Sequence, residues 1–334
     1  MSKRIHGTAS NPWSGTLAVL LTAAAAGTWP ACAVTFLSTD DPTYNAPALG
    51  GDLPPEVASF WIYEGLWGNF LGTAISPYHF ITASHVGAGA SGNTTFTYQG
   101  KDYQATLVAN HSNADLSIWE VAERMPSWAP LWTSTGAEAG KELVVIGRGT
   151  LRGAEVMGPS SSGGEELKGW RQGGAGGTQR WGMNEVAAIG VDGSGNSYLV
   201  AEFDDLHGTD PLYPYEAHLT AGDSGGAVFI QDPVDSLWKL AGINAGVDGL
   251  YSLTGGADTG FRAVLFDKGG LYVGTQNQWT PVAEGPNDVP SRFYATQVSA
   301  YQDWVQALIP EPRAYALVTG GLLIAEAIRR RARR

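Results

Sequence analysis

The chain has 334 residues, 43% of them hydrophobic, which is enough apolar material for a sizeable core and argues against global disorder. Its formal charge of −12 becomes −18, from 12 basic and 30 acidic residues, once residues 1–33 and 310–334 are set aside. So acidic a surface repels phosphate backbones and disfavours nucleic acid as a partner. The only cysteine, Cys32, lies in the first of those segments, so residues 34–309 hold no disulfide, thiolate metal site or cysteine nucleophile.

In chain order, Lys3, Arg4 and His6 precede a small-apolar run from Thr16 to Gly27, and Trp29-Pro30 breaks it. Ala31-Cys32-Ala33 then supplies small residues at the −3 and −1 positions of a cleavage site. This three-part layout predicts a secretory signal peptide over 1–33, with a signal peptidase as processing partner. The alternative is a buried N-terminal helix, since a dozen apolar residues are too few to cross a bilayer.

From Phe60 onward the text is strand-like, with short apolar-biased runs separated by Gly, Pro, Asn or Asp. Predicted strands are Phe70–Ser76, Phe80–Ala83, Thr94–Tyr98, Tyr103–Val108, Ser117–Val121 and Leu143–Ile146. Residues 150–200 are dense in Gly and Ser and are expected to form long surface loops inserted between strands. Helical periodicity is convincing only in Tyr294–Leu308, where Val298, Tyr301, Trp304, Val305 and Leu308 share one face.

Ile309-Pro310-Glu311-Pro312 is followed by a hydrophobic stretch, Ala314–Ile328, and then by five arginines. This ending resembles the PEP-CTERM sorting signal of bacteria, which implies recognition by a membrane exosortase during export across the inner membrane. Fifteen apolar-leaning residues containing Glu326 make a poor permanent anchor, so membrane contact through the tail is expected to be transient. A plain C-terminal anchor is the alternative, and either way residues 34–309 are expected at the cell surface or secreted.

Three local motifs carry chemistry. The predicted strand Phe80–Ala83 runs into Ser84-His85-Val86, delivering an imidazole at a strand end, where it can act as a general base. Asn113-Ala114-Asp115-Leu116-Ser117 sets an aspartate at the head of an alternating strand. Gly222-Asp223-Ser224-Gly225-Gly226 lets the backbone bend sharply around a serine, with the Gly222 and Ser224 amides free to converge on a developing oxyanion. Taken singly, the first two are more simply read as a structural histidine and a turn aspartate, and the third equally well as a Gly-rich turn.

The order His, Asp, Ser differs from the Ser, Asp, His of α/β-hydrolases and argues against a lipase or esterase. ITASHV, NADLSI and GDSGG together resemble the chymotrypsin/trypsin-like serine protease family, as does the terminal helix VSAYQDWVQAL. The resemblance spans roughly residues 48–308 and implies an all-β fold. That fold has two six-stranded antiparallel β-barrels, divided near residue 135, and a C-terminal α-helix. It implies Ser224 as nucleophile, His85 as base then acid, Asp115 as its orienting partner, and a polypeptide substrate cleaved without metal or cofactor.

The resemblance also implies that Asp223 shapes the nucleophile loop. In the family's zymogens that aspartate pairs with a newly cut N-terminus. Ala48-Leu49-Gly50-Gly51 is similar to such a start, although signal-peptide removal alone can supply one. Ser84 stands where the family has alanine, a small change. His218 falls at the base of the primary pocket, so Lys or Arg preference is not expected; it either favours acidic side chains or is a turn residue. Asn244, Ala245 and Gly246 are expected to form the pocket wall. The six histidines form no ligand-spaced cluster. A catalytically idle barrel that binds at the surface or in an extracellular matrix is the competing reading.

Overall fold

The computed structural model describes residues 34–309, apart from 40, 42, 89–91, 93, 176, 205–212 and 277. The expected signal peptide and sorting tail therefore lie outside the described residues. Among those described, no helix is long and apolar enough to cross a membrane.

The chain enters through β1 (Thr35–Phe36) and a short helix, α1 (Pro55–Trp61), that its periodicity did not announce. Pro55 at its first position suits the fixed φ of a helix start. Phe60 of α1 is fully buried against Phe229 at 4.6 Å and Trp238 at 5.1 Å, tying the entry segment to the second half.

Six strands follow: β2 (Glu64–Trp67), β3 (Phe70–Ala74), β4 (His79–Thr82), β5 (Thr95–Tyr98), β6 (Lys101–Asn110) and β7 (Ser117–Val121). They close into an antiparallel barrel in the order β2-β3-β4-β7-β6-β5. An aromatic column fills it. Phe80 stacks on Phe96 at 4.0 Å, and Trp67 packs on Phe80 and Trp119 at 5.1 and 4.7 Å. The column fits because β2 and β3 carry glycines beneath it: a Cβ on Gly65 would sit 2.5 Å from the Phe96 ring, and one on Gly72 2.8 Å from Phe80.

The second half contains β8 (Glu142–Gly147), β9 (Thr150–Pro159), β10 (Glu165–Ala175), β11 (Arg180–Glu185), β12 (Ala188–Val191) and β13 (Ser197–Glu202). Next come β14 (Ala217–His218), β15 (Ala227–Gln231), β16 (Trp238–Val247), β17 (Leu250–Ser252) and β18 (Ala263–Leu265). The chain ends in β19 (Tyr272–Thr275), β20 (Gln278–Pro281), β21 (Arg292–Gln297) and the helix α2 (Gln302–Leu308). The expected second barrel takes the form of a seven-stranded antiparallel sheet, β11-β8-β15-β16-β21-β13-β12. It curls on itself, and Asn184 of β11 reaches across to donate to the Glu202 carbonyl of β13 at 2.8 Å.

Two expectations need correction. The Gly-rich stretch is largely strand: β9 and β10 form a long hairpin whose other edge pairs with β18. Glycine hid the alternation because it has no side chain to show it. At Gly169, φ is +140° and a Cβ would lie 2.3 Å from the Val264 carbonyl oxygen, so only glycine lets β10 approach β18 so closely. The helix expected from Tyr294 starts eight residues later. Residues 292–297 are instead β21, paired on both sides with β13 and β16, and a 3-10 turn over Val298–Tyr301 leads into α2.

The hairpin also carries a fully buried lysine. Lys168 donates to Glu166 at 2.7 Å, Glu284 at 2.9 Å and Asp267. Burial works against its charge, but the three carboxylates outweigh that and raise its pKa. These acids are the described residues spaced to hold a metal ion, and an ammonium of the chain itself already serves them.

Candidate active site

β4 and β7 are antiparallel neighbours, with Thr82 opposite Ser117. His85 follows Thr82 by three residues in the 3-10 turn Ser84–Val86, and Asp115 precedes Ser117 by two. Both side chains therefore leave the same end of one strand pair, and His85 Nδ1 lies 2.6 Å from Asp115 Oδ2. The Ser224 hydroxyl lies 2.8 Å from His85 Nε2, 139 residues away in sequence.

Exposure is graded along this line. Asp115 is buried, His85 keeps about a third of its side-chain surface (34%), and Ser224 is half-buried. Burial alone would raise the Asp115 carboxyl. Hydrogen bonds from the His85 ring and amide and from Ser84, with the charge of His85, outweigh it and hold the pKa below the usual value. An ionised Asp115 fixes the proton of the imidazole on Nδ1 and leaves Nε2 to accept from Ser224.

Asp115 Oδ1 is also satisfied, accepting from the His85 backbone N–H at 2.9 Å and from the Ser84 hydroxyl at 2.8 Å. Ser84, read from sequence as a tolerated stand-in for alanine, thus donates to the aspartate. A hydroxyl next to a candidate base was the available signal.

The nucleophile loop is braced from several sides. Gly222 has φ +98°, and among the described residues neither its amide nor that of Ser224 donates to a protein acceptor. Both remain available to an oxyanion. Asp223 is buried and accepts from Gly149 N–H at 2.5 Å, Thr220 N–H at 2.7 Å and Thr220 Oγ1 at 3.0 Å. It also receives the backbone N–H of Val34. Burial pushes its pKa up to about 7 despite these donors. The aspartate therefore meets Val34, and Ala48 lies elsewhere, in the 3-10 turn Pro47–Leu49.

Gly225, at φ +80°, lies against the end of β4 that leads to His85. A Cβ there would fall 2.2 Å from Thr82 Oγ1 and 2.5 Å from the Leu71 carbonyl. Gly225→Ala combines a strained φ with a backbone clash that cannot yield. It is expected to destabilise the fold by more than about 1 kcal/mol and to separate Ser224 from His85. Thermal melting and steady-state hydrolysis of the variant check both effects.

The expected pocket residues are placed differently from one another. His218 is a strand residue of β14, not a turn residue, and pairs with Thr35. It is fully buried, edge-on to Phe203 at 5.5 Å and Phe293 at 5.6 Å, with Nδ1 near the Leu219 carbonyl and Nε2 near Ser291 Oγ. Burial pushes its pKa down to about 4, so near neutral pH it is uncharged and offers no cation to an acidic side chain. Asn244 is also buried, and its Nδ2 donates inward, to the Ile146 carbonyl at 2.8 Å and the Asp223 carbonyl at 3.1 Å. It braces the nucleophile loop. Ala245 and Gly246 lie at a bulge where β16 pairs with β21, and of the two Gly246 is the more open.

The family model described as the trypsin-like peptidase domain matches residues 70–243. No curated protein matches the chain by sequence. Among solved structures, the chain is similar to the Rv3671c protease in its inactive form, at 16% identity and a TM-score of 0.36. That alignment covers 63% of this chain and 87% of the other. The active form of the same protease from M. tuberculosis aligns at 18% identity and a TM-score of 0.34, covering 63% and 78%. The HtrA-type protease AlgW with a decapeptide aligns at 16% identity and a TM-score of 0.38. There 72% of this chain is covered, but about half (51%) of the other.

Proposed function

We propose that this chain, which belongs to the trypsin-like peptidase family, is an exported serine endopeptidase acting through an acyl-enzyme. The observation that carries the reading is the unbroken line from Ser224 Oγ through both nitrogens of His85 to Asp115, at 2.8 and 2.6 Å, beside two unengaged amides.

In this reading His85 Nε2 takes the proton as Ser224 Oγ attacks the scissile carbonyl carbon. The Gly222 and Ser224 amides receive the oxyanion, and Asp115 stabilises the imidazolium. The same proton goes to the leaving amine. Water, deprotonated by His85, then hydrolyses the ester on Ser224 and restores the starting state. Export rests on the sequence of residues 1–33 and sorting on residues 310–334. An intact mass for the secreted protein that starts at Val34 and ends near Pro310 is the expected mark of both.

The test is labelling by a fluorophosphonate. The processed chain is expected to gain one adduct, on the peptide containing Ser224, and to hydrolyse casein. A folded chain that takes no label would overturn the reading in favour of an idle barrel that binds without cleaving.

A further inference from the structure

Asp115 sits in a turn that a third side chain organises. His111 closes β6 against β7: its backbone N–H donates to the Leu116 carbonyl at 2.9 Å. Its ring then folds back over the turn. The Ala114 N–H donates to His111 Nδ1 at 2.8 Å, and the Asn113 N–H does so at 3.2 Å. These are the two amides immediately before the aspartate. Ala114 is buried, so its N–H has no ready exchange with water.

The ring is held in turn by the far end of the chain. Tyr301, at the end of the last 3-10 turn, meets it edge-on at 4.8 Å, and Trp304 of α2 does so at 5.1 Å. The Tyr301 hydroxyl is pinned by accepting from the Ser197 N–H at 2.9 Å. An acceptor fixed by two aromatic rings therefore sets the backbone that aims the Asp115 carboxylate at His85.

We propose that His111 is a positioning residue for Asp115, acting through the Nδ1 acceptor it presents to the Asn113 and Ala114 amides. The proposal rests on reading His85, Asp115 and Ser224 as a triad. It assigns His111 no contact with substrate; its effect is on how well the carboxylate holds the imidazole, and hence on turnover rather than substrate binding.

Two substitutions separate the acceptor from the ring. His111→Phe keeps an aromatic ring between Tyr301 and Trp304 and removes the acceptor. His111→Asn removes the ring, but its Oδ1 can accept from the amides two and three residues on, as in an Asx-turn. The expected result for His111→Phe is a kcat about ten- to a hundredfold lower with KM unchanged. The low-field NMR proton between His85 Nδ1 and Asp115 should be shifted or lost with it. His111→Asn should restore both towards wild type.

The reverse ranking, with Phe near wild type and Asn impaired, would overturn the proposal and leave His111 a packing residue. So would two folded variants with unchanged kcat and an unchanged low-field proton. Should His111→Phe fail to fold, His111→Asn against His111→Ala carries the same comparison. The low-field proton reports on the His85–Asp115 bond even in a chain that hydrolyses nothing. Failure of wild-type labelling would therefore sink the protease reading while the NMR comparison still decides the role of His111.

Discussion

Asp115→Asn is expected to lower kcat about 10⁴-fold while the protein stays folded. The magnitude follows from the proton inventory at the carboxylate. Oδ1 already receives two donors, the His85 N–H and the Ser84 hydroxyl. An asparagine keeps both only by placing its carbonyl oxygen at that position, which turns its NH2 towards His85 Nδ1. Nδ1 must then accept, so the ring proton moves to Nε2, and Nε2 donates to Ser224 instead of receiving its proton. The base is lost without any atom moving far. Ser224→Ala removes the nucleophile itself and with it all fluorophosphonate labelling. Hydrolysis of a chromogenic peptide ester, with thermal melting as control, measures both. Activity within tenfold of wild type for Asp115→Asn would mean that His85 is oriented by another group.

Much of this site is legible in the sequence because each member sits in a short stretch with its own local logic. His85 ends one strand, Asp115 begins another, and Ser224 is flanked by the glycines its turn needs. Pairing Thr82 with Ser117 is then enough to bring the first two together. The supporting residues escape a linear reading because their partners are remote. His111 is held by Tyr301 and Trp304, and Asn244 by the carbonyls of Ile146 and Asp223. No spacing marks such contacts. His218 counts back correctly from the nucleophile, yet the rings of Phe203 and Phe293 decide its state, and only packing shows that it is buried and neutral. The β9–β10 hairpin was hidden for a different reason: the glycines that allow its close approach to β18 also erase the side-chain alternation by which strands are recognised.

The start of the mature chain has the second large expected effect. Asp223 is a buried carboxyl with its pKa pushed up to about 7, and among the described residues no lysine, arginine or histidine forms an ion pair with it. One of its donors is the backbone N–H of Val34. The expected signal-peptidase cut falls directly before Val34 and would turn that amide into an ammonium, placing a positive charge beside the aspartate. In a chain still extended before Val34, the folded Asp223 titrates near 7 and the unfolded one near 3.8. Between those values the native state holds the extra proton, so stability declines as pH rises through the window, by up to roughly 4 kcal/mol. A free Val34 ammonium favours the charged carboxylate, lowers the folded pKa and flattens that decline. Glu64 and His218, whose pKa values burial shifts to about 8 and about 4, contribute equally to both chains. The extended chain is thus expected to lose more melting temperature between pH 5 and pH 8 than the chain starting at Val34. Among the described residues the Gly222 and Ser224 amides already stand unengaged in the chain that extends before Val34, so the effect is expected on stability, with kcat little changed. Thermal melts of the two chains at both pH values, with kcat measured alongside, provide the test. Superimposable pH profiles would show that the new amine does not reach Asp223.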